Sequence, residues 1–475
     1  MKTLALTPET LGAWGRTLLR AGFGLGLLIL AFLTWNAPEV LPFFPALLLG
    51  GLGAWYLFRH PLLNLCVVLA SFVLIVGYEE GIQPEEALYG IYYLAFLGHW
   101  YFTRLFLYRE RLVETPEEKA LVLFLALMTL AGVTGLFLFG NKPGAVISEW
   151  VSLSMLAFYF PVKEVCARYR KGPVLILGII LWIAFFVAVR NFINYQAILL
   201  SATQVWQVEK GRVATNDILL MIGSTFTLTL IVFTRKWRAA LILLPLFALF
   251  FGGLILTQSR GYWITFALAA VILFALVKAP QKKRMLAMAF MGAVLLFTIG
   301  FLFLRETMFL VLSGLIERLG TLQSAATKDV SLINRFLESG AVWERIKQNP
   351  ILGYGLGGSF HFFNITTHHT TDGTFAHNGY VYLWFKFGIF GLLTVLFFWL
   401  RSAWRGVQAF RSAVTPRLMH LGALAAAACL FALPLVANTS NPFHQNDPPF
   451  IMALMMGLAG GVYRRVKNDP ASPSP

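Results

Sequence analysis

Residues 334–391 decide how this chain is read: NRFLESGAVWERIKQNPILGYGLGGSF (334–360), HFFNITTHHTTDGTFA (361–376) and HNGYVYLWFKFGIFG (377–391). This is the one long polar segment in a chain that otherwise passes from one apolar block to the next. It holds His361, His368, His369 and His377, half of the eight histidines. Its first part reads as an amphipathic helix with Phe336, Val342, Trp343 and Ile346 on one side. Asn349-Pro350 ends that helix, because the residue before a proline is pushed out of the α region. Gly353, Gly355, Gly357 and Gly358 then predict a tight turn. His377-Asn378 sits where an apolar helix re-enters a membrane, so the segment is expected to close a chamber on one membrane face.

Composition sets the class. Apolar residues fill 58% of the 475 positions and charged residues only 13%, with mean hydropathy +0.71. A soluble domain is nearer half apolar and a quarter charged. Continuous apolar runs replace the ten-residue alternation of a β-barrel. The expected fold is therefore an all-α polytopic membrane protein. Cys66, Cys166 and Cys429 lie far apart in or beside apolar runs and read as small core residues, not as a disulfide framework.

Spans are expected near 18–35, 41–58, 61–78, 86–107, 120–140, 146–162, 173–193, 217–233, 239–257, 262–277, 285–304, 378–400, 418–437 and 449–463. Several are short or closely paired, so 12–14 transmembrane helices are expected. No small-residue cleavage site follows the first span, which reads as a retained anchor. Of the 38 lysines and arginines, 26 fall on one set of ends and loops. That bias explains the +16 net charge without nucleic acid and places both termini in the cytoplasm. The outward side then carries 194–216 and a stretch of about 70 residues at 305–377, too long for a bare connector. Helices are expected there around 306–324 and 333–349. The organisation is N-terminal transmembrane helices at 1–304, a periplasmic loop subdomain at 305–376, C-terminal helices at 377–466 and a disordered tail at 467–475.

With the cytoplasmic charges assigned to topology, the outward ones carry the information. Arg190 lies near the outward end of its span, Arg260 sits between two spans in LTQSRGYW, and Arg335 opens the amphipathic helix. Arginine at membrane depth is costly and usually has a partner or a function. The competing reading is snorkelling to the headgroups. Several arginines on one face suit a phosphate or pyrophosphate, which guanidinium binds bidentately. His377 is the best general-base candidate, since an unperturbed imidazole titrates near pH ~6.5; the competing reading is an interfacial histidine bonded to a loop carbonyl. His361, His368 and His369 with Asp372 match no metal-ligand spacing, so neither metal nor cofactor is expected. The glycines at 353–358 resemble a phosphate cradle only loosely, and tight turning explains them equally well. Lys386 falls inside a span and needs either a carboxylate or an anionic ligand.

Together these residues resemble the bacterial O-antigen ligase and O-antigen polymerase superfamily. The resemblance rests on Arg260 in SRG, on Arg335 with Trp343, Pro350, Gly353 and Gly355, and on His377-Asn378 followed by Leu383 and Gly391. It implies a lipid-dependent, GT-C-like glycosyltransferase of the bacterial inner membrane, acting at the periplasmic face. The donor would be a glycan on undecaprenyl pyrophosphate. The acceptor would be the lipid A-core of lipopolysaccharide for a ligase, or the growing carrier-linked glycan for a polymerase. Related protein O-oligosaccharyltransferases tend to carry a glutamine and a glutamate in the helix after His-Asn; GYVYLWFKFGIFG has neither. The arginine placement and the histidine-containing loop favour the ligase. The expected chemistry is inverting and metal-independent. His377 acts as base, Arg190 and Arg260 stabilise the leaving pyrophosphate, and Arg335, Asn378 and Lys386 join the donor site. A lipid-linked glycan flippase is the alternative of another class; it would show inverted repeats and charges near the midplane.

Overall fold

The computed structural model describes residues 44–75, 84–201, 216–290, 330–365, 367–413, 417–444 and 446–468. The expected span 18–35, the expected helix 306–324, most of 285–304 and the tail from 469 lie outside them. The chain divides into two compact units, Met1–Asn64 and Leu65–Pro475. In the first, α1 (Phe44–Arg59) ends on Arg59, whose guanidinium lies 4.0 Å from the Trp55 ring centre.

The second unit holds α2 (Pro84–Phe102), α3 (Pro116–Phe137), α4 (Pro143–Ser154), α5 (Tyr159–Arg168), α6 (Gly172–Ser201) and α7 (Asp217–Phe233). After these come α8 (Trp237–Leu256), α9 (Arg260–Leu276), α10 (Val330–Gln348), α11 (Gly379–Arg411), α12 (Leu418–Val436) and α13 (Asp447–Lys467). A 3-10 turn, Met155–Phe158, joins α4 to α5. Among the described residues, six helices are long and apolar enough to cross a membrane: Pro116–Phe137, Pro143–Arg168, Gly172–Ser201, Arg238–Leu256, Gly379–Arg411 and Leu418–Val436. Three shorter apolar helices, Pro61–Leu74, Asp217–Phe233 and Arg260–Leu276, fall on further expected spans. The chain is an all-α multi-pass membrane protein.

Three helices form the centre. α7, α12 and α13 are buried almost along their whole length, as helices apolar on every side must be. Polar side chains on α7 are satisfied locally: Ser224, Thr225, Thr227 and Thr229 each donate to the carbonyl one turn back. Small residues set the closest approaches, as in membrane bundles generally. A Cβ on Gly461 of α13 would fall 2.6 Å from the Lys163 carbonyl oxygen of α5, and one on Gly406 of α11 would fall 2.7 Å from that of Ala423 in α12.

One end of the bundle is tied by ion pairs. Thr115 and Glu118 form a capping box that starts α3, and Glu118 also pairs with the buried Lys163 of α5. Glu117 pairs with Arg405 near the end of α11, and Glu114 with Arg464 near the end of α13. Lys163, Arg405 and Arg464 are among the lysines and arginines expected on the cytoplasmic side.

Candidate functional site

The other end of the bundle gathers α6 at Arg190 and the starts of α7, α9, α11 and α13 around the segment 437–446, which joins α12 to α13. Its polar atoms tie the elements together. The Asn441 amide donates to the Ala376 carbonyl at 3.0 Å, and the Gly379 backbone N–H donates to the Ala437 carbonyl at 2.7 Å. Residues 376–379 are thereby fixed against the loop.

His377 lies between those two anchors. Asn378 caps α11, its Oδ1 accepting from the N–H groups of Tyr380 at 3.0 Å and Val381 at 3.1 Å. The cap thus engages Oδ1 of Asn378, a residue expected in the donor site. The His377 ring places Nδ1 2.8 Å from Oε2 of Glu338 on α10, while Oε1 of Glu338 accepts the His377 backbone N–H. Glu338 is 3% exposed; the imidazole keeps 37% of its surface open. An ionised carboxylate only accepts, so Nδ1 carries the proton and Nε2 the lone pair. Sequence reading missed Glu338, although a signal was there. Glu338, Val342 and Ile346 recur every four residues and form the buried face of α10, with Val342 and Ile346 at 0% and 1% exposure. Phe336 and Trp343, expected on that face, are 61% and 40% exposed.

The three arginines stand on elements that meet in this region. Arg335, one turn before Glu338, donates to the Thr439 carbonyl at 2.6 Å. Arg260 opens α9, and the next residue packs on the loop, since a Cβ on Gly261 would meet Val436 at 3.1 Å and Thr439 at 3.5 Å. Arg190 donates to Oδ1 of Asn216, and the amide of Asn216 donates to the buried Asp447 at 2.9 Å. Arg190 was expected near a helix end, but α6 continues about three turns beyond it because 191–201 contains no helix breaker. Asn216 takes a left-handed backbone at φ 53°, which asparagine tolerates better than most residues.

His444 completes the cluster. Phe375 lies between His377 and His444, with ring centres 4.7 and 4.6 Å away. Burial, then the charges of Lys386 and His377, pushes the His444 imidazole down to about 4. It is therefore neutral at ordinary pH, and among the described residues its buried Nδ1 has no hydrogen-bond partner.

Half-buried arginines, an imidazole backed by a carboxylate and a loop holding both can bind a phosphorylated group beside a base. A family model described as O-antigen ligase matches residues 245–396, which run from α8 through Arg260, Arg335, Glu338 and His377 into α11. That stretch of the chain is similar to the O-antigen ligase family. Members are membrane glycosyltransferase-like enzymes. No curated protein matches the chain.

Lys386, expected in the donor site, and the glycine turn are engaged elsewhere. Lys386, fully buried, places Nζ 2.7 Å from Oε1 of Glu149 on α4 and 2.9 Å from the Gly358 carbonyl. Of the two partners its position demanded, the structure supplies the carboxylate. The glycine turn is likewise filled by protein. Gly357 N–H donates to Oε2 of Glu149 at 2.8 Å, and Leu356 N–H to the Ala131 carbonyl at 3.0 Å. α11 breaks at Gly388 (φ 66°), and the freed carbonyls of Phe385 and Lys386 accept from Tyr354 and Gly355 N–H at 2.7 and 3.1 Å. The turn therefore mends a broken membrane helix, and two of its amides, those of Tyr354 and Gly355, are spent doing so.

The remaining histidines lie on an antiparallel hairpin, β1 (Phe360–Asn364) with β2 (His369–Gly373), in register from Phe360 opposite Gly373 to Asn364 opposite His369. Phenylalanines on β1 and paired threonines on β2 favour strand, in a stretch for which neither helix nor strand was expected. His361 bonds Asp372 on its exposed face. Among the described residues no group of three His, Cys, Asp or Glu is placed to hold a metal.

Proposed function

We propose that the protein is an O-antigen ligase of the bacterial inner membrane, working at the periplasmic end of the bundle. It would transfer a glycan from undecaprenyl pyrophosphate to the lipid A-core of lipopolysaccharide. The observation that supports this reading is that the loop at 437–446 accepts from Arg335 and anchors the backbone on both sides of His377, while Gly261, next to Arg260, packs on it and Arg190 reaches Asp447 at its end through Asn216. A flippase would instead put its charges near mid-membrane; here the mid-bundle lysine is neutralised by Glu149.

The chemistry follows from the groups present. An acceptor hydroxyl gives its proton to Nε2 of His377 as its oxygen bonds to the anomeric carbon. The bond from that carbon to the phosphate oxygen breaks with its electron pair, and undecaprenyl pyrophosphate leaves from the opposite face with inversion. Pyrophosphate is already a good leaving group, so the guanidinium groups of Arg190 and Arg260 suffice to stabilise it. Arg335 holds the loop beside them. The reaction needs no divalent ion on this account.

Purified protein, lipid-linked glycan and lipid A-core acceptor test the reading. Glycosylated core and free undecaprenyl pyrophosphate are expected, with turnover unchanged by chelator. A lengthened carrier-linked glycan would make the enzyme a polymerase, and an unaltered donor would leave only transport. Turnover abolished by chelator would remove the metal-free step.

A further inference from the structure

Glu338 is a buried acid with an unusual commitment. Carboxylates are rarely buried without partners, and both oxygens of this one go to a single residue, Oε2 to the ring Nδ1 of His377 and Oε1 to its backbone N–H. Two bonds from one rigid group fix both the backbone and the ring of His377. They also fix the tautomer. Nδ1–H faces an acceptor-only carboxylate, so the lone pair stands on Nε2, the nitrogen that a general base needs.

The location of Glu338 adds to this. It stands on α10, a helix outside the membrane-spanning set, one turn after Arg335, which bonds the Thr439 carbonyl. One face of α10 therefore grips both the loop at 437–446 and the candidate base. Its neighbours on that face, Val342 and Ile346, are buried apolar residues that hold the helix in place.

We propose that Glu338 is the positioning residue of the transfer reaction, holding His377 in the Nδ1–H tautomer with Nε2 toward the acceptor hydroxyl. The inference rests on His377 being the base. During the step the acceptor proton moves to Nε2 and remains on the imidazole. Nδ1 keeps its own proton, and the carboxylate balances the imidazolium charge without becoming protonated.

The test is a kinetic double-mutant cycle on the full-length protein, with Glu338→Ala, Glu338→Gln, His377→Ala and the Glu338→Ala/His377→Ala pair. A base contributes ~10²–10⁴-fold, so losing its orientation is expected to lower kcat by about 10–100-fold, with donor KM within about twofold. Glu338→Gln, which still accepts from Nδ1–H, is expected to recover part of the loss and keeps the test alive if the alanine variant fails to fold. The double variant is expected to be no slower than His377→Ala alone, because Glu338 acts through that ring. In protein labelled with ¹⁵N-histidine, the His377 signal is expected to report Nδ1–H in the parent and a tautomer mixture in the variants. Glu338→Ala or Glu338→Gln at parental kcat, or additive losses in the pair, would overturn the inference and leave the base assignment standing. Parental turnover by His377→Ala would overturn both.

Discussion

The ammonium of Lys386 lies 2.7 Å from Oε1 of Glu149, with the side chains 0% and 3% exposed. The two residues come from α11 and α4, and between them they hold the turn through Gly357 N–H and the Gly358 carbonyl. The polar segment is thus pinned to the apolar bundle by one buried charge pair. Such a pair need not raise stability over an apolar replacement, but it fixes which surfaces meet.

Removing one partner strands the other. Lys386→Met leaves a carboxylate without its cation, and breaking a buried pair costs about 3–5 kcal/mol. A clear drop in the thermal midpoint of detergent-solubilised protein is expected, with partial recovery in Lys386→Met/Glu149→Gln. An unchanged midpoint in the single variant would show that the pair is dispensable.

Glu149 was within reach of the sequence. A lysine inside one span needs a counter-charge, and Glu149 stands inside another, expected at 146–162. Which acid meets which lysine is a matter of helix packing, and no periodicity states it. Helix existence was easier, because apolar length alone marks a span. Arg190, Arg260 and His377 stood out as polar residues at apolar boundaries. Asn216, Asp447 and His444 did not, since one short polar loop between two apolar helices looks like any other until the helices around it are known. Glu338 stood out least: an acid on an amphipathic helix is ordinary unless its face is the buried one.

Gly388 is the hinge of α11. A Cβ there would stand 1.7 Å from the Ile351 carbonyl oxygen, and its φ of 66° disfavours any L side chain. Gly388→Ala is expected to undo the bonds from Tyr354 and Gly355 to the freed carbonyls. Loss of folded protein on size-exclusion chromatography is the expected result, and a well-folded variant would show that α11 tolerates closing its break.

Asp447 acts through Asn216 on Arg190. In Asp447→Ala, Asn216 loses its acceptor and the Arg190 guanidinium its fixed position. Hydrogen bonds to charged groups are worth about 1.5–3 kcal/mol, so donor KM is expected to rise about tenfold or more. Unchanged donor KM would detach this chain of contacts from donor binding.

His444 makes stability depend on pH in a stated direction. Its imidazole is held at about 4 against an ordinary 6.5, so between those values the unfolded chain binds a proton that the folded one refuses. Stability is therefore full above about pH 6.5 and falls as pH drops toward 4, by on the order of 3 kcal/mol at the limit. His444→Phe keeps a ring beside Phe375 and Tyr382 and removes the proton. Its thermal midpoint is expected to fall less than the parent's between pH 7 and 4.5, and parallel curves would count against the assignment.

Arg260 and His377 contribute by different physics, which ranks their variants. His377→Ala removes general-base help worth typically ~10²–10⁴-fold. Arg260→Ala removes a charge preorganised where negative charge develops, and losing one such donor costs ~10²–10³-fold. The arginine also helps hold the ground-state donor, so its loss is expected to raise KM as well as lower kcat. In kcat/KM, Arg260→Ala should then fall at least as far as His377→Ala, with both proteins folded. Arg260→Lys keeps the charge but loses the bidentate fork, and is expected to recover only part of the loss. Purified-component transfer assays over a range of donor concentrations separate the two constants. Full activity in both alanine variants would remove the glycan-transfer mechanism proposed for this site.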